Sequence, residues 1–178
     1  MREDVHIMIE YDKNKVADMP FESNEIPQFF DDDYAFAGRL TAQDIANMPD
    51  ETKDIGKLKR RLSEIFNIKL NNNYAKLEAD CDIKRDTFQK VLRAKNGRNI
   101  TYTLLAKFCV GAKLSEQEAR ELFLLMGHEL NNQKYRCDYI LICELKNGCD
   151  ILEFDADLKK YGIPGILSET DNLSANSF

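Results

Sequence analysis

Residues 73–97 read NYAKLEADCDIKRDTFQKVLRAKNG, and the fold turns on how this stretch is read. Asn73 stands where a helix N-cap is wanted, and Tyr74, Leu77 and Cys81 then fall on one face of a short helix. Asp82 marks a turn. A second helix follows from about Lys84 to Ala94, with Phe88, Val91 and Leu92 inward. Lys95-Asn96-Gly97-Arg98 ends it, with glycine just past the helix terminus. The outer face of the second helix carries Lys84, Arg85, Asp86, Gln89 and Lys90.

Two short helices joined by a tight turn, the second amphipathic with a basic outer face, have the physical form of a helix-turn-helix. In that motif one helix braces and the next enters the major groove of DNA. The same face is also what any amphipathic helix shows to water, so its neighbours decide between the two readings.

Those neighbours are helical. Upstream, Ile55, Leu58, Leu62, Ile65 and Phe66 share a face. Downstream, Thr101 to Val110 repeats the pattern with Leu104, Leu105, Phe108 and Cys109, and Gly111 ends it. Ser115 with Glu118 forms a capping box, followed by Ala119, Leu122, Phe123 and Met126. Tyr135 to Lys146 predicts another helix. Asp150 with Glu153 forms a second capping box leading Ile151, Phe154, Leu158 and Tyr161. About seven helices over residues 52–167, with short connections, make an all-α bundle.

Residues 1–51 are patterned differently. Val5, Ile7 and Ile9 alternate as in a short strand, and Tyr34 to Met48 has the spacing of a short helix. Pro20, Pro27, Pro49 and Asp31-Asp32-Asp33 interrupt the rest. Two readings stand: a mobile acidic arm, or a docking segment, since Phe21, Phe29, Phe30, Tyr34 and Phe36 are too aromatic for a solvated tail. Residues 168–178 read as a disordered tail.

The charge is uneven. The total is -6, but residues 1–55 hold 5 basic and 14 acidic side chains, whereas residues 56–135 hold 16 and 9. Between Lys84 and Lys107 there are seven basic residues and one acid, Asp86. Such asymmetry is the electrostatic footprint of a nucleic-acid partner. An acidic arm tethered to a basic face also predicts competition between arm and DNA.

Several classes are disfavoured. No apolar run approaches the roughly 18 residues of a membrane helix, and the N-terminus lacks the pattern of a signal peptide. Five scattered cysteines without a CxxC pair suit reduced thiols and a cytoplasmic location. Cys137, Cys143 and Cys149 recur every six residues, about 600° of helix, so the first two point to different faces and suit no metal site. His128, after Gly127, fits a cation at the negative end of a helix dipole rather than a catalyst. No nucleotide-binding or hydrolase motif is present. The chain is read as no enzyme, with no cofactor and no metal.

The run from Leu58 to Gly127 resembles the lambda-repressor-like (Xre-type) helix-turn-helix domain. The resemblance rests on Leu77, on Cys81-Asp82-Ile83, on Lys84 to Val91, on Asn96-Gly97, and on LLAKFCVGAKLSEQEARELFLLMG after them. The extension YRCDYILICELKNGCDILEFDADLKKYGIPGI resembles a C-terminal helical pair of some bacterial members. Two positions depart from the pattern: Asp82 replaces the turn glycine, and Glu78 replaces a small alanine. The resemblance implies a five-helix domain over 52–130, a helical extension over 131–167, and a bacterial or phage transcription regulator bound to double-stranded DNA. It implies base contacts from Lys84, Arg85, Asp86, Gln89 and Lys90. Phosphate contacts fall on Asn73, Tyr74, Arg93, Lys95, Arg98 and Asn99. A homodimer through the helices at 135–161 follows from two-fold operators. A protein-interaction module or an accessory subunit of a nucleic-acid-processing complex on the same scaffold is the alternative, with the acidic arm binding a protein partner.

Overall fold

A computed structural model describes residues 12–27, 54–95 and 97–167. Among them are seven α-helices: α1 (Ile55–Leu70), α2 (Tyr74–Cys81), α3 (Arg85–Arg93), α4 (Tyr102–Gly111), α5 (Glu116–Leu125), α6 (Arg136–Asn147) and α7 (Ile151–Lys160). Two 3-10 turns, Lys13–Asp18 and Gly97–Asn99, complete the regular structure, and the described residues form no strand, only an isolated bridge from Ser23 to Tyr135. The strand expected at Val5–Ile9, the helix expected at 34–48 and the tail at 168–178 lie outside the described residues.

Local chemistry sets the helix ends. Asp54 caps α1 by accepting from Lys57 N at 2.8 Å, and Thr101 caps α4 from Leu104 N at 3.1 Å. Ser115 and Asp150 both form complete capping boxes, with Glu118 and Glu153 closing back on the cap amides. Asn71 and Asn72 end α1 in left-handed geometry, each at φ 54°. Asparagine reaches this region at smaller cost than most side chains.

One continuous cluster of buried side chains runs from Val16 through Leu58, Phe88 and Phe108 to Phe154 and Ile166. At its centre, Phe88 of α3 lies 5.0 Å from the Phe66 ring of α1 and 5.6 Å from the Phe108 ring of α4. Close packing of α2 on α4 is obtained at Gly111. A Cβ there would collide with the Asp80 carbonyl and the Cys81 sulfur. The small residue that lets these two helices approach thus sits on α4, and Glu78 of α2 stays exposed.

Residues 12–27 lie on α6 and α7 as a strap. Val16 is fully buried, and the Phe21 ring meets the Tyr139 ring edge-on at 5.7 Å. The Tyr139 hydroxyl donates to the Asp12 carbonyl at 3.2 Å, and the Tyr161 hydroxyl donates to the Lys13 carbonyl at 2.8 Å. Ser23 N donates to the Lys134 carbonyl and Arg136 N to the Ser23 carbonyl. Lys13 Nζ stands 2.6 Å from the fully buried Glu144 carboxylate and 2.7 Å from Asp157. Burial pushes the Glu144 carboxyl up, against the pull of Lys13. Burial opposes the Lys13 charge, but the Asp157 and Glu144 carboxylates outweigh it and hold the ammonium well above its ordinary range. Lys13 is therefore held charged. Removing it strands a buried carboxylate. Lys13→Met is expected to lower stability by about 1–3 kcal/mol, read from the urea midpoint.

Asp155 anchors the end of the described chain. Its Oδ1 accepts from Ile166 N at 2.7 Å and Leu167 N at 3.0 Å, and its Oδ2 pairs with Lys159 at 2.7 Å. Burial raises its pKa, but Lys159 and the two amides outweigh that and hold the carboxyl below its usual 3.8. A depressed folded pKa means the unfolded chain takes up the proton first as pH falls. The stabilising contribution is present above 3.8 and is lost as pH falls through the folded value. Stability should therefore drop from about pH 5 to about pH 3, and less steeply in Asp155→Asn, when urea midpoints are compared across that range.

Candidate nucleic-acid interface

The candidate surface comprises the start of α2, the turn after it and the outer side of α3. Asp82 caps α2 in left-handed geometry, φ 49° and ψ 41°. Its carboxylate receives Lys107 Nζ at 2.6 Å, a side chain from α4 that is itself largely buried. The turn is thus fastened to α4 by an ion pair, and Ile83 is buried beneath it. Lys107, counted among the seven basic residues of the stretch, is spent on this bond rather than offered to a partner.

The α3 helix begins at Arg85, with Lys84 as an N-cap that supplies no side-chain bond. Phe88 and Val91 are buried, while Lys84, Arg85, Asp86, Thr87, Lys90 and Arg93 are exposed. Gln89 is half-buried. The helix ends at Ala94, whose carbonyl accepts from Lys59 Nζ of α1 at 2.7 Å, a cation at the negative end of the helix. Lys95 and Asn99 are exposed beyond it. Asn96 and the side chain of Arg98 lie outside the described part.

At the other end of α3, Tyr74 of α2 comes alongside Arg85. The Asn73 side chain is committed to capping α2, accepting from Ala75 N at 2.9 Å and Lys76 N at 3.2 Å. Tyr74 is half-buried, its ring 4.9 Å from Phe66, and the Arg85 guanidinium sits over that ring at 5.0 Å. An open cleft of about 390 Å³ lies beside the start of α3, walled by Lys84, Thr87, Thr101, Thr103 and Lys107. The sequence carried no sign of this cleft, because its walls come from α3, from α4 with its cap Thr101, and from the turn before α3.

His128 departs from its expected role at a helix end. Its ring turns inward among Tyr102, Phe123 and Tyr135, and Nε2 lies 2.9 Å from Asp138 Oδ2. Asp138 of α6 is fully buried and also accepts from the Tyr102 hydroxyl at 2.8 Å and Asn131 N at 2.8 Å. This hub ties α4 to the C-terminal pair. Local spacing could not reveal it, because its partners are 36, 10 and 7 residues from Asp138.

The described part of the acidic segment rests on α6 and α7, with Lys13 paired to Glu144 and Asp157. The Asp31-Asp32-Asp33 run lies outside the described residues. Among the described residues, no cluster of three or more His, Cys, Asp or Glu side chains is placed to hold a metal ion, and no helix is long and apolar enough to cross a membrane.

Comparison of the chain with family models, curated proteins and solved structures finds no match.

Proposed function

We propose that the chain is a sequence-specific binder of double-stranded DNA and acts as a transcriptional regulator, with α3 in the major groove. One observation carries the reading. On α3 and its flanks, Lys84, Arg85, Lys90, Arg93 and Lys95 are exposed together, while Phe88 and Val91 root the same helix in the core. The likeness of Leu58–Gly127 to lambda-repressor-like domains supports the same assignment. Three residues separate α2 from α3, a spacing that suits a bracing and a reading helix. Arg85 suits guanine, Gln89 suits adenine, and Asp86 suits cytosine N4. Arg93, Lys95 and Asn99 suit phosphates on the far side of the groove.

A two-fold operator calls for two copies. Cys137 to Glu144 of α6 are buried within the chain, so a dimer through 135–161 has to use the outer side of α7, where Leu152 is 64% exposed.

The test is fluorescence polarisation on random and selected duplexes, with a single-strand control, over about 50 to about 200 mM salt. Duplex binding that weakens steeply with salt supports the reading. Absence of duplex binding at low salt contradicts it. Arg85→Ala is expected to cost about 1–3 kcal/mol on the selected site. Lys95→Ala is expected to weaken all duplexes alike and reduce the salt slope by about one.

A further inference from the structure

We infer that Tyr74 is a positioning residue that holds Arg85 in the orientation needed to read guanine. The inference rests on the duplex-binding reading above and deepens it by naming the base class and the device that selects it.

An exposed arginine at the first turn of a helix samples many rotamers, and ordering it on contact weakens recognition. Here the guanidinium already lies over the Tyr74 ring, 5.0 Å from its centroid, within the range of a cation–π contact. The ring beneath it is itself fixed. Tyr74 lies 4.9 Å from Phe66, Phe66 lies 5.0 Å from Phe88, and Phe88 lies 5.6 Å from Phe108. A column of four rings thus rises from the fully buried Phe88 and Phe108 to the surface and ends under the Arg85 guanidinium.

A cation–π contact is made with the charge as a whole and forms no conventional hydrogen bond. The five N–H donors lie in the plane, so the fork stays able to donate two parallel bonds. Guanine offers O6 and N7 as a matching pair of acceptors in the major groove. The ring therefore holds the fork in place without competing for the base. Lys84, next to it, is a point charge on a flexible stem and offers no such fork.

The test uses the full chain and a duplex enriched from a random pool by that chain. Each guanine in turn is replaced by 7-deazaguanine, which removes the N7 acceptor and leaves base pairing intact. The wild type is expected to lose about 5- to 100-fold in affinity at one guanine. Tyr74→Phe, which keeps the ring, should retain that penalty. Tyr74→Leu should shrink it to under about threefold, as Arg85→Ala does, and the double variant should show nothing more. Each penalty is a ratio within one variant, so a change in general affinity cancels. If Tyr74→Leu does not fold, the Arg85 Nε–H resonance of the DNA-free chain decides: a ring-current shift in the wild type and in Tyr74→Phe supports the inference, and its absence overturns it. A folded Tyr74→Leu with the full penalty also overturns it. A wild type that binds duplex with no sensitive guanine overturns this inference alone, whereas a wild type that binds no duplex overturns the functional reading beneath it.

Discussion

Replacing Phe88 with alanine is expected to cost the fold about 3–5 kcal/mol. The side chain is fully buried and lies between Phe66 of α1 and Phe108 of α4. Truncation removes the transfer free energy of the ring and leaves a void among three helices. These helices are also pinned by Leu58, Leu62 and Leu105, so the space cannot collapse fully. The loss should appear as a lower urea midpoint with an unchanged slope. Phe88→Leu, which fills most of the volume, should lose less. A Phe88→Ala chain with wild-type stability would mean that α3 does not pack as described.

Asp138→Ala is expected to be as damaging, about 3–5 kcal/mol, for a different reason. Asp138 is the common acceptor for the Tyr102 hydroxyl, for Asn131 N and for the contact with His128 Nε2. Removing the carboxylate withdraws one shared acceptor from three groups at once, and each such loss costs about 1–3 kcal/mol where the group is buried. Because the hub bridges α4 and α6, the C-terminal pair should loosen first. Hydrogen exchange should rise in α6 and α7 before α2 and α3. Uniform, unchanged exchange throughout would contradict this account of how the two parts are joined.

Helical spacing made much of the bundle legible. Leu58, Leu62, Ile65 and Phe66 repeat with the helical period, and Ser115 and Asp150 announce helix starts through local capping bonds. The left-handed turn at Asp82 was legible for the same reason, since it depends on one residue's own conformational cost. Long-range features were not. Nothing near Gly111 says that the Asp80 backbone, far back along the chain, will press on it. Lys13 and Glu144 find each other across 131 residues, and Glu144 reads in sequence as an ordinary polar position of an amphipathic helix. Phe21 marked the strap as a segment that could dock, but its seat on α6 and α7 was not legible, because partners such as Tyr139, Glu144 and Asp157 lie far along the chain.

At the interface, the types and spacing of Lys84, Arg85 and Lys90 were readable from the amphipathic pattern of α3. Their relation to Tyr74 was not, because it depends on how α2 and α3 meet. Lys107 shows the converse: its charge counted toward the basic stretch, but the fold commits it to Asp82.

Hydrogen exchange of the full chain with and without a selected duplex tests the central claim most directly. The account predicts that protection on binding gathers at the start of α2 and across residues 84–95, while α6, α7 and residues 12–27 are unchanged. Protection confined to α6, α7 or the strap, with residues 84–95 unaffected in the presence of bound duplex, would contradict it.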